Sequence, residues 1–367
     1  MKVNICMNKT HGGNIWKIAK ENGLKAEDII DFSASINPFG LSPKAEAAIK
    51  NAISFLGHYP EPGAETMRAE LALFHNLPEE NILVGNGSTE FIYLLPQVLR
   101  PKKAIMIEPS FSEYRNSLES VGCVIGNFLA LEHEGFVPDI KRLCSEIAKG
   151  CDVIYLCNPA NPTGVLLSKK EVLKVTEECR RYGAMLVVDE AFIDFVEEES
   201  VKREAITMNN LIVIRSMTKF FSMAGLRLGY VIASKRLIKR FEAAKPPWSV
   251  NTLATLAGRE SLKDTDYIKR TREWLDQEKL FLMQGFNKLS YFKTYPTEVN
   301  YMLVKILLDG ITARDIQERL LKQGIFVRDC SSFVGLGDNF LRIAVRKRIE
   351  NVFLLDSMNK MLTSMQL

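Results

Sequence analysis

One pattern between about residues 80 and 235 restricts this chain to few folds. Short stretches that are apolar at consecutive positions recur at 82–84, 104–107, 121–125, 153–157, 185–188, 211–214 and 228–232. Segments of helical period lie between several of them, as at 90–99 and 168–181, the second opening on the capping box Ser168-x-x-Glu171. Side chains alternate between the faces of a strand, so a strand apolar at every position is covered on both faces. The pattern therefore predicts a large α/β domain around a mostly parallel, seven-stranded sheet.

The flanks differ. The first 40 residues contain His11-Gly12-Gly13-Asn14, a short helix-like stretch, and Ser33-Ala34-Ser35-Ile36-Asn37-Pro38-Phe39-Gly40. The turn signals in the last predict an arm running extended over another surface. Ser42-Pro43 then opens a helix, with Ser as N-cap. Lys245-Pro246-Pro247-Trp248 ends the alternation, and a long helix follows with Ile268, Leu275, Leu282 and Leu289 near one face. Short strands at 301–304, 325–327 and 341–345 and two more helices make a smaller α+β domain. The expected divisions are an arm at 1–40, a large domain at 41–245 and a small domain at 246–367.

Composition removes several classes of function. There are 48 Lys and Arg against 44 Asp and Glu, with no dense basic block, which gives no support to nucleic-acid binding. The seven cysteines lack a Cys-x-x-Cys, as in reduced, buried thiols of a cytoplasmic protein. The four histidines are scattered and suggest no metal site. The first residues lack the apolar run of a signal peptide, and no stretch approaches the ~18 apolar residues of a membrane span.

Four motifs carry chemistry, all at or after strand ends. Gly85-Asn86-Gly87-Ser88-Thr89-Glu90 opens a helix, whose first N–H groups and dipole suit a phosphate. A dinucleotide fold would want Gly at position 90 and an acid about 20 residues on; Glu108 stands there, so that reading stays open beside a plain turn. Asn158-Pro159-Ala160-Asn161-Pro162-Thr163-Gly164 is either an ordinary loop or a rigid pair of amides at the ligand end of a parallel strand. Asp189-Glu190 are acids costly to bury, unless they are a solvent-facing cap. Ser216-Met217-Thr218-Lys219 precedes Gly225-Leu226-Arg227-Leu228-Gly229. Ser-x-x-Lys also occurs in penicillin-binding proteins, but the companion Ser-Asp-Asn and Lys-Thr-Gly are absent. A lysine here can form a Schiff base if burial lowers its pKa.

Together these motifs, in this order and almost end to end, resemble the pyridoxal-phosphate (PLP) enzymes of fold type I, in the aminotransferase family. The resemblance implies that Lys219 holds the cofactor aldehyde and Asp189 pairs with the ring nitrogen. It implies that Asn161 bonds the ring hydroxyl and Phe111 stacks on the ring. Gly87, Ser88, Thr89, Ser216, Thr218 and Arg227 would hold the cofactor phosphate, joined by Tyr59 from a neighbouring subunit, making a homodimer with shared sites.

Two subfamilies of this layout take phosphorylated substrates. One transaminates histidinol phosphate; the other decarboxylates O-phospho-L-threonine to the aminopropanol phosphate of the cobalamin side chain. The second is favoured by resemblance at four places. His11 and Gly12 look like its substrate-phosphate loop, Asp189–Phe195 has Phe where the aminotransferase carries Tyr, and 247–251 and 328–330 look like its sequence. The resemblance makes Arg342 the clamp for the substrate carboxylate, Arg328 a partner for its phosphate, and Asn161 a further contact. Ser35 stands where Asn is expected, so a contact there is lost or bridged by water. A non-catalytic PLP-binding regulator would need a DNA-binding segment, for which the arm is too short.

Overall fold

The computed structural model describes residues 12–364. In chain order its strands are β1 (Ile30–Asp31), β2 (Ile82–Gly85), β3 (Lys103–Glu108), β4 (Val124–Leu129), β5 (Val153–Cys157) and β6 (Met185–Asp189). There follow β7 (Leu211–Ser216), β8 (Gly229–Ala233), β9 (Phe292–Thr294), β10 (Tyr301–Ile306), β11 (Ile325–Phe326), β12 (Arg328–Asp329) and β13 (Phe340–Ala344).

All seven apolar runs become strands of one sheet, in the order β2-β8-β7-β6-β5-β3-β4. Only β8 runs against its neighbours. β2, β5, β7 and β8 are buried at every residue, as their uninterrupted apolarity requires. Helices Ser88–Leu99, Ser112–Glu119 and Lys235–Ala244 cover one face, packing Phe91, Leu118 and Phe241 against Ile212 and Ile214. Helices Ile140–Ile147 and Lys169–Arg181 cover the other, where Leu143, Val172 and Val175 meet Leu186, Val188 and Val213. Ser168 and Glu171 form the expected capping box. The run at 121–125 is displaced: Gly122 takes the left-handed conformation in a turn, and the strand begins at Val124. β4 ends the sheet and leaves Val124 and Leu129 exposed, so consecutive apolarity there does not mean burial on both faces.

The order of the strands places the site. From β3 the chain steps outward to β4, then returns to β5 on the other side of β3 and runs on to β6 and β7. Strand order reverses between β3 and β5, and open α/β sheets bind ligands outside the carboxyl ends at such a point. The strand ends gathered there are Glu108, Cys157, Asp189 and Ser216.

A second sheet, β12-β13-β10-β9, is antiparallel. The helix Thr265–Asn287 beside it buries Leu275 and Leu282, with Ile268 and Leu289 packed at the margin of the same core. The arm does more than lie on a surface. After the helix Ile15–Asn22, β1 pairs in parallel with β11, and the Ala344 N–H donates to the Phe32 carbonyl at 2.9 Å. Phe32 is fully buried, which fixes where Ser33 and Ser35 enter the site. Among the described residues, no helix is long and apolar enough to cross a membrane.

Candidate active site

Asp189 ends β6 and is buried rather than solvent-facing. Its carboxylate accepts the Tyr114 hydroxyl at 2.6 Å and the Ala191 N–H at 2.9 Å. Burial raises its pKa to about 6, opposed by those hydrogen bonds and by the charge of Lys219. Lys219 lies in the turn after β7, its Nζ 5.8 Å from the centre of the Phe192 ring. Burial, then the charges of Arg342 and Arg227, bring its pKa down to about 8, while Asp189 and Asp31 act the other way. With such a pKa about a tenth of the lysine is a neutral nucleophile at pH 7. Asn37 secures the turn: its N–H donates to the Lys219 carbonyl at 3.0 Å, and its amide reaches Phe220, Tyr267 and Thr271.

A phosphate-sized cradle adjoins this pair. The helix Ser88–Leu99 begins after Gly87 with no side-chain cap, leaving its first N–H groups to a ligand. Gly87 has φ +77°, and a Cβ there would lie 2.7 Å from an Arg227 guanidinium nitrogen. A Cβ on Gly229 would lie 2.4 Å from the Ser88 nitrogen. Both glycines are thus required for close approach. The Ser216 and Thr218 hydroxyls, both buried, are 2.8 Å apart, and Arg227 donates to the Ala224 carbonyl at 3.1 Å.

On the other side stand two arginines. Arg328 and Arg342 face one another across β12 and β13, both buried. Their polar contacts are with neutral oxygens: Ser332 for Arg328, Asn161 and the Ser33 carbonyl for Arg342. The Arg342 Nε is buried without a partner among the described residues, and burial together with Arg342 lowers the pKa of Arg328. Two guanidiniums held side by side with neutral partners have spare capacity for anions. The arm reaches this place. Gly13 donates to the Ser33 hydroxyl at 2.8 Å, and a Cβ on Gly12 would lie 2.3 Å from the Ser33 oxygen that Arg342 bonds. Ser35 is buried, and its hydroxyl has no partner among the described residues.

The four motifs thus converge with the arm and the second sheet. His11 lies outside the described residues. Phe111 precedes the helix Ser112–Glu119 and meets Tyr114 edge-on at 5.7 Å. Tyr59 is exposed, its ring 5.7 Å from that of Trp248. Asn158 does not serve as a ligand amide; it staples its own loop to Leu167 through two hydrogen bonds. The dinucleotide reading loses its acid, because Glu108 is buried and paired with Arg115 at 3.1 Å. Sequence reasoning passed over Tyr114, Asn37 and Arg215. Only Tyr114 left a trace, a tyrosine three residues after Phe111 on the same helical turn.

The family model described as aminotransferase class I and II matches residues 27–353. The chain is 34% identical to threonine-phosphate decarboxylase of Salmonella typhimurium, over 97% of this chain and 97% of that one. It is also 34% identical to histidinol-phosphate aminotransferase of Methanocaldococcus jannaschii, over 90% and 88%. Among solved structures it resembles L-threonine-O-3-phosphate decarboxylase of Porphyromonas gingivalis, with TM-score 0.80 and 26% identity, over 90% and 99%.

Proposed function

This chain belongs to the aminotransferase class I and II family, and on that premise we propose that it decarboxylates O-phospho-L-threonine with pyridoxal phosphate, giving the aminopropanol phosphate of the cobalamin side chain. The residues present suit the cofactor. The cradle of Gly87, Ser88, Thr89, Ser216, Thr218 and Arg227 matches a phosphate, Asp189 a ring nitrogen, and Lys219 an aldehyde. Bound there, PLP supplies an electron sink for the pair left at the substrate Cα.

The chain's own groups do the rest. Asp189 keeps a proton on the ring nitrogen. Asn161, already bonded to Arg342, would serve the cofactor hydroxyl and the substrate. Arg342 takes the substrate carboxylate and Arg328 its phosphate, with Gly12 and, by the resemblance, His11 as further phosphate contacts. By fixing the rotamer about the bonds to Cα, these two anchors would favour loss of the carboxylate as CO2 over loss of the hydrogen. Lys219 or a water would supply the proton that takes the place of CO2 at Cα. The observation that carries this reading is the pair of buried guanidiniums with neutral partners, suited to one molecule bearing both a carboxylate and a phosphate.

In this reading the arm is 1–40, the large domain 41–245 and the small domain 246–367. The working unit is a cytoplasmic homodimer in which Tyr59 serves the neighbour's phosphate site; its exposure supports that role. The test is CO2 release from O-phospho-L-threonine by PLP-loaded protein without a 2-oxo acid. The similarity to histidinol-phosphate aminotransferase names the rival: glutamate formed from 2-oxoglutarate and histidinol phosphate, with no CO2, overturns the decarboxylase. Inertness in both assays leaves a binding protein.

A further inference from the structure

Asp189 can do its work only if its carboxylate is held in one orientation and kept charged in a buried place. The backbone provides one donor, the Ala191 N–H at 2.9 Å to Oδ1. Oδ2 depends on a side chain from another element, the Tyr114 hydroxyl at 2.6 Å. Tyr114 is buried on the helix Ser112–Glu119, directly after β3, whereas Asp189 ends β6. Its ring is fixed on two sides. Phe111 meets it edge-on at 5.7 Å, and the Tyr155 ring of β5 lies 5.4 Å away, tilted by 30°. A phenol so enclosed has little freedom to turn its hydroxyl elsewhere.

Other groups near the carboxylate do not duplicate this donor. Cys157, its register partner on β5, gives its thiol to the Pro159 carbonyl at 3.3 Å. The Tyr155 hydroxyl is buried and has no partner. Lys219 acts on Asp189 through its charge.

We propose that Tyr114 is a positioning residue of the active site: its hydroxyl orients the Asp189 carboxylate while its ring buttresses Phe111, so that one side chain aligns the groups assigned to the cofactor's nitrogen and to its face. The inference rests on the PLP reading above. Burial raises the pKa of Asp189, and the hydrogen bond from Tyr114 opposes it more than any other group does. Loss of the hydroxyl should leave a carboxylate less willing to stay charged and a ring nitrogen less firmly protonated.

Tyr114→Phe removes one oxygen and keeps the ring. A charged acceptor losing such a donor should cost about tenfold or more in kcat, with KM changed much less. The midpoint of the bound cofactor's visible-absorbance titration should move to higher pH, and PLP should dissociate faster. Thermal unfolding without cofactor serves as the control for a merely structural role, which would lower stability yet leave the titration midpoint in place. Unchanged titration, unchanged PLP release and kcat within twofold of wild type would overturn the proposal. If wild-type protein itself fails to bind PLP, the reading of the site fails instead, and the two failures are thereby told apart.

Discussion

Two clusters of buried charge share the ends of β6 and β7, and they are built on opposite plans. Arg215 and Ser216 are neighbours on β7, so they point to opposite faces. Behind the sheet, the fully buried Arg215 meets Asp194 at 2.7 Å, Glu197 at 2.5 Å and Glu190 at 3.2 Å, and Lys202 adds a second cation on Glu197. In front, Lys219, Arg227, Arg328 and Arg342 surround a space whose buried acid is Asp189. The rear cluster is neutralised by its own residues and holds the 190–201 segment to the sheet. The front cluster is left positive, which makes it a place for anions from outside. Both clusters hold buried cations; what separates a strut from a binding site is whether the chain supplies the counter-ions.

Paired substitutions test that distinction most severely. Arg215→Gln should destabilise the protein by about 3–5 kcal/mol, because it strands the buried Asp194 and Glu190 and leaves Glu197 to Lys202 alone. Arg342→Gln should cost only about 1 kcal/mol, since it gives up hydrogen bonds to two neutral oxygens and relieves Arg328 of a like charge. Activity should behave in reverse: the folded Arg342→Gln protein should lose about a hundredfold or more in kcat/KM for the phosphorylated amino acid. Denaturant unfolding and steady-state kinetics measure the two effects. Equal destabilisation by both changes would erase the contrast.

The front cluster was legible in the sequence and the rear one was not, for a physical reason. Gly87, Asn161, Asp189, Lys219 and Arg227 sit at strand ends where turn-forming residues mark a break in an apolar run, so motif and position coincide. Arg215 directly follows the apolar run at 211–214 and gives no turn signal; its partners Asp194 and Glu197 sit in what reads as an acidic surface stretch. Only the fold turns that stretch back under the sheet. The alternating pattern likewise disclosed the seven strands, but not the order that puts β8 antiparallel between β2 and β7. Neither β1–β11 pairing nor the docking of Gly12 on Ser33 could be read locally, since each joins segments remote in sequence.

A smaller effect separates the members of the rear cluster. Burial raises the pKa of Glu190 to about 7, whereas Arg215 brings Glu197 down to about 2. A carboxyl whose folded pKa lies above its unfolded value contributes stability at low pH that is lost as pH rises through the window between them. For Glu190 that window runs from about 4.5 to about 7. Glu197 has the opposite sign and loses its contribution as pH falls from about 4.5 toward 2. Glu190→Gln should therefore flatten the fall in stability between pH 5 and 7, worth on the order of 2–3 kcal/mol, and leave the acid limb unchanged. Chemical denaturation across that range reads it directly; an unaltered slope would mean that Glu190 stays charged throughout.

The smallest effect belongs to the front cluster and concerns its lysine alone. Arg342 and Arg227, with burial, hold Lys219 near pKa 8, so the neutral amine that attacks an aldehyde should grow about fivefold between pH 7 and 8 and level off above. The rate at which cofactor-free protein gains the visible absorbance of attached PLP should follow that curve. Arg342→Gln removes one of the two cations responsible, so its midpoint should move upward, towards that of an ordinary lysine. The rear cluster offers the control: Glu190→Gln changes the slope of stability between pH 5 and 7, and should leave this midpoint where it is. A shift with Glu190→Gln as large as that with Arg342→Gln would mean that the two clusters act as one electrostatic unit through the sheet, and that the division between strut and site is not real.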